Sequence, residues 1–204
     1  MALFKNPFKK HRHSNPAIAD LYRITEHIDG DLETAISALP NLAEAVRQGA
    51  RTLLQRSLLD QIKEYDLRTG RHILENIDAT MEEAMLKKLT GMMLLFCHEE
   101  LSKLFRRETV PSILTTALHY EIYKALPKEE GFVAYLQYQN PHFEDPKMAP
   151  AHKFGNDIAK IVSVSDQLFY LIIAQQTSVI SEVSVRLIRW VLLGEAIDPP
   201  AESR

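Results

Sequence analysis

Asn156–Leu193 reads NDIAKIVSVSDQLFYLIIAQQTSVISEVSVRLIRWVLL, and neither Gly nor Pro interrupts it. Ile158, Val162, Phe169, Ile172, Val179, Val183, Trp190 and Leu193 fall at three- and four-residue steps or their sums, the period of an α-helix. The stretch is therefore read as one helix, roughly 55 Å long at 1.5 Å per residue. Asn156 or Asp157 can cap its start, Arg186 and Arg189 suit the negative end of its dipole, and Gly194 is the expected left-handed terminator before Asp198-Pro199-Pro200. Between Asp166 and Glu182 there is no charge, and Leu168, Phe169, Leu171, Ile172 and Ile173 cover more than one face. A helix apolar on several sides is expected to be surrounded by other helices.

A second long helix is expected from Met81 to about Arg107. Thr80-Met81-Glu82-Glu83 has the spacing of a capping box, with Thr80 as cap. Two apolar stripes follow, Met85, Leu89, Met92, Phe96 and Leu86, Met93, Cys97, Leu101, Leu104, which merge at Met92–Cys97. This helix is the expected partner of the first, its methionines filling irregular gaps in a core.

The other segments are shorter. Asn15-Pro16 is a cap followed by proline at the first helical position, and Ile18, Leu21, Ile24 and Ile28 mark a helix ended by Gly30. Asp31 can cap a short helix that Pro40 breaks, and Asn41 can cap the next, which runs through Leu53, Leu58, Ile62 and Tyr65 to an interruption at Gly70. Thr109-Val110-Pro111-Ser112 opens a helix stopped at Pro127, and another is expected between Lys128 and Tyr138. Residues 139–155 contain Pro141, Pro146 and Pro150 and read as a long loop, with Phe143, Met148 and Phe154 available for contacts. The expectation is an all-α, single-domain bundle of six or seven helices around two long central ones, at about 81–107 and 156–193. The domain spans 15–195, with a flexible basic arm at 1–14 and a flexible tail at 196–204.

Composition agrees with a globular chain: 204 residues, 46% apolar, 25% charged and a formal charge of −3. Lys5, Lys9, Lys10 and Arg12 stand together with no acid near them, so a basic arm precedes an acidic body. That arm could make a weak contact with an anionic surface. The first helices carry Asp20, Glu26, Asp29, Asp31 and Glu33 against Arg23, which argues against sequence-specific DNA binding. Cys97 is the single cysteine, which suits a reducing compartment. The longest unbroken apolar runs, Met92–Cys97 and Leu168–Ala174, are far shorter than a bilayer requires. A soluble cytoplasmic protein without a transmembrane segment is expected.

The sequence carries no catalytic constellation of a familiar spacing. The Glu-x-x-His of dinuclear carboxylate bundles does not occur: His72-Ile73-Leu74-Glu75 is reversed, and His98-Glu99-Glu100 puts neighbours on different helix faces. Nor is there a His-x-x-x-His pair, and His142, Asp145 and His152 are the only metal-ligand types that cluster. Cys97 lies in the most apolar run of its helix, where a thiol is expected to be buried and inert. No cofactor or metal is expected.

The reading that remains is a non-enzymatic helical interaction or assembly component, paired with itself or with another protein. The segment after Ser181 is expected to overhang the bundle, with Val183, Leu187, Trp190 and Val191 as contacts alongside Phe143, Met148 and Phe154. Gln175 and Gln176, inside the uncharged stretch, are expected to include a polar core residue or a ligand contact, since a buried amide needs a partner. The alternative is a small-molecule-binding bundle, or an enzyme whose site is assembled from residues distant in sequence.

Overall fold

The computed structural model describes residues 14–24, 30–105, 109–124 and 149–195. Among these the secondary structure is helical throughout: α1 (Pro16–Ile24), α2 (Gly30–Leu53), a π-helical segment (Leu54–Leu58), α3 (Leu59–Thr69), a 3₁₀ turn (Leu74–Asn76), α4 (Ala79–Leu104), α5 (Thr109–Tyr123), α6 (Ala149–Ile161) and α7 (Gln167–Leu193). The chain is an all-α bundle, as its periodicity implies. The expected helix at 128–138, the basic arm with Lys5, Lys9, Lys10 and Arg12, the contacts Phe143 and Met148, and the tail at 196–204 lie outside the described residues.

Several helix ends follow local chemistry. The Asn15 side chain accepts from the Ala17 amide at 3.1 Å while its own amide donates to the Ala117 carbonyl and to Glu121, both at 3.0 Å, so one residue caps α1 and fastens it to α5. Gly70 and Gly194 adopt φ of 68° and 66° and end α3 and α7, the left-handed conformation that glycine takes without a Cβ penalty.

Other boundaries differ from the sequence reading. Pro40, expected to break the chain into two helices, lies inside α2. It sits on the exposed side, where water can replace the lost backbone bond, while Ile36, Leu39, Leu42 and Ala43 around it are buried. Burying four such groups outweighs the roughly 3 kcal/mol that an interior proline costs. Gly30 begins α2 instead of ending α1. The cap of α4 is Asp78, whose carboxylate accepts from the Met81 amide at 2.8 Å, rather than Thr80; a carboxylate at the positive end of the dipole is the stronger acceptor.

The expected 156–193 helix is two helices. It is interrupted after Ile161 by a turn in which Ser163 has φ 56°, and Asp166 restarts α7 by accepting from the Leu168 amide at 2.8 Å. In the other direction α6 begins at Ala149, well inside the expected loop, with Pro150 in its first turn, a position proline tolerates. This folds α6 back on α7 so closely that a Cβ on Gly155 would stand 2.7 Å from the Tyr170 carbonyl oxygen.

The π-helical segment has a cause in the pattern of apolar residues. Leu32, Ile36, Leu39, Ala43, Val46 and Ala50 form one buried stripe on α2, and Leu58, Ile62 and Tyr65 form another beyond it. At 100° per residue the second stripe is displaced from the first by close to one residue's rotation. A wider π turn absorbs one extra residue, and both stripes then face the same core.

That core gathers residues from α1 to α7. Met85, Leu89, Met92, Met93, Leu94 and Cys97 of α4 are its centre, each 1% exposed or less. Helices α2, α5, α6 and α7 pack around α4, and Gly49 of α2 lets Leu187 and Met93 approach to 3.1 Å of where its Cβ would be.

Candidate interaction surface

One side of α7 belongs to the core. Phe169, Ile173, Ala174, Ile180, Ser184 and Ile188 are buried along it. Phe169 meets Tyr65 of α3 edge-on, with ring centroids 5.1 Å apart. The Tyr65 hydroxyl donates to Asp166 at 2.5 Å, and Arg71 lies 3.4 Å from the same carboxylate. Hydrogen bonds from Tyr65 and the Leu168 amide hold Asp166 below the ordinary aspartate range, so it stays ionised as the cap of α7.

Near its other end α7 is held by a charge. Arg189 donates through Nε to Glu100 of α4 at 2.8 Å, and Lys103 reaches the second carboxylate oxygen at 2.8 Å. Glu100 is 1% exposed. Burial pushes its pKa up, but hydrogen bonds from Lys103 and Arg189 outweigh this and leave it lowered, so the carboxylate is charged. With Ser184 and Ile188 buried and Arg189 engaged, the segment after Ser181 is docked along one side and does not overhang the bundle. The expected overhang is corrected: helix length alone cannot tell a projecting end from one lying across its neighbours.

The opposite side of α7 faces water and carries five large apolar residues. Leu168 is 54% exposed, Leu171 43%, Val179 39%, Trp190 48% and Leu193 50%. Gln175, Glu182 and Arg186 lie among them; Gln175 and Glu182 are exposed, and Arg186 bonds Glu182 at 2.5 Å on the same helix. These eight positions lie within an arc of about 100°, which also holds the exposed Arg189, bound to Glu100, and the half-buried Ile172. Among the described residues Leu67 is the other exposed large apolar side chain that stands out, alone on α3. A groove of about 500 Å³ between α2 and α7, lined by Asn41, Glu44, Ala45, Gln48, Trp190 and Val191, opens beside this stripe.

Trp190 is on the exposed stripe, Val191 is half-buried at the groove, and Val183 and Leu187 are half-buried where α7 crosses Gly49. Phe154, expected to serve a partner, is 0% exposed and belongs to the core; the helical start at Ala149 turns its side chain inward. Gln176 is half-buried and accepts from Ser57 of the π-helical segment at 2.6 Å, whereas Gln175 faces water. Leu168, Leu171, Val179 and Leu193 were not among the contacts expected. Their common face was visible in the spacing, but in a stretch apolar on several sides periodicity does not say which side is covered.

The catalytic candidates are dispersed. Cys97 is fully buried and its thiol is pushed up to about 12 by burial. His98 lies 3.3 Å from Thr115, and burial lowers its pKa against a smaller opposing effect of a backbone hydrogen bond at Pro111. His119 is buried beside Tyr123, with ring centroids 4.8 Å apart. His152 stands edge-on to Tyr170, and His72 pairs with Glu75 at the surface. Among the described residues no group of three His, Cys, Asp or Glu side chains is placed to hold a metal ion. By length and composition α7 is also apolar enough to cross a bilayer, with a mean hydropathy of 1.3 over its best window. No protein family, curated protein or solved structure matches the chain.

Proposed function

We propose that this protein is a non-enzymatic helical interaction component whose contact surface is the outer stripe of α7. The observation that carries the reading is the clustering of Leu168, Leu171, Val179, Trp190 and Leu193 on one exposed arc. Single exposed apolar residues are ordinary, but five on one arc, grouped towards the two ends of the helix with Gln175, Glu182 and Arg186 between them, favour a covered state, at about 25 cal/mol per Å² of apolar surface removed from water. The scaffold beneath supports such a role, because core packing and the Glu100–Arg189 pair hold α7 firmly behind its exposed side.

A photo-crosslinking amino acid placed at Leu171 tests the proposal, with the same residue at Leu67 as control. Leu67 is 78% exposed and isolated. Adducts expected in cells come from position 171 and not from 67. Equal yields from the two positions, or none from 171, would overturn the reading.

A further inference from the structure

We draw no further inference here: the strongest candidate, the exposed side of α7 with Leu168, Leu171, Val179, Trp190 and Leu193, belongs to the surface already described, and nothing in the structure shows what covers it.

Discussion

Helices α4 and α7 are nearly equal in length, 26 and 27 residues, yet eleven residues of α4 are buried against six of α7. Both sequences are apolar on more than one side. In α4 the second side is covered by α5, α6 and the other helices that enclose it. In α7 the second side points into water and carries Leu168, Leu171, Val179, Trp190 and Leu193. The difference separates two reasons for an apolar residue: one set lowers the energy of this chain alone, and the other, on our proposal, that of an assembly.

Substitutions on the two sides of α7 should therefore behave differently. The largest effect is expected from Phe169→Ala on the core side, which removes a fully buried ring packed edge-on against Tyr65. The loss should be about 3–5 kcal/mol in urea unfolding, and a value under about 1 kcal/mol would mean that this side is not the packed one.

A pH series probes the buried region through His119, which is neutral in the fold with its pKa pushed down to about 4 by burial. Because the unfolded histidine titrates near 6.5, protonation favours the unfolded chain. The His119 contribution should be complete above about pH 6.5, fall as the pH is lowered towards 4 and be gone below, a total of roughly 3 kcal/mol, while Glu100 and Asp166, whose pKa values are lowered, go on losing stability in more acid solution. His119→Phe should reduce the fall of the urea midpoints across that window, leaving the part due to His98, and an unchanged slope would assign the acid sensitivity to other groups.

Gly155→Ala should cost about 1–3 kcal/mol, because its Cβ would press on the Tyr170 carbonyl and force α6 from α7. A thermal melt measures this directly, and no change would mean that the two helices separate freely. The smallest effect on stability is expected from Leu171→Ser on the outer side, within about 0.5 kcal/mol in urea unfolding. A large destabilisation would erase the distinction between the two sides.

Much of the fold was readable because helix ends are local. Asn15-Pro16, Gly70 and Gly194 need only their neighbours to act as caps, and the three- and four-residue steps fix the class. Features that depend on distant packing were not readable. Pro40 stays helical because buried residues flank it, and Asp166, whose cap on the Leu168 amide is local, is also held by Tyr65, a residue 101 positions away. The exposed stripe was half legible: Trp190 could be named, while Phe154 and Leu187 looked equally suitable until the burial of the first and the packing of the second on Gly49 were known. An apolar residue carries the same signal in a core and at an interface, so only the packing distinguishes them.

The π-helical segment has a consequence for how this chain tolerates changes of length. Adding or removing one residue in a helix ordinarily turns everything beyond it by 100°, which would expose one buried stripe or the other. Here the surplus residue is already accommodated between Leu54 and Leu58. Gln55 and Arg56 both face water, and deleting either should leave an ordinary α-helix with Leu53 and Ile62 still facing inward. The segment thus holds one residue more than a regular α-helix would over the same span, and it marks a place where a chain one residue shorter should reach the same fold.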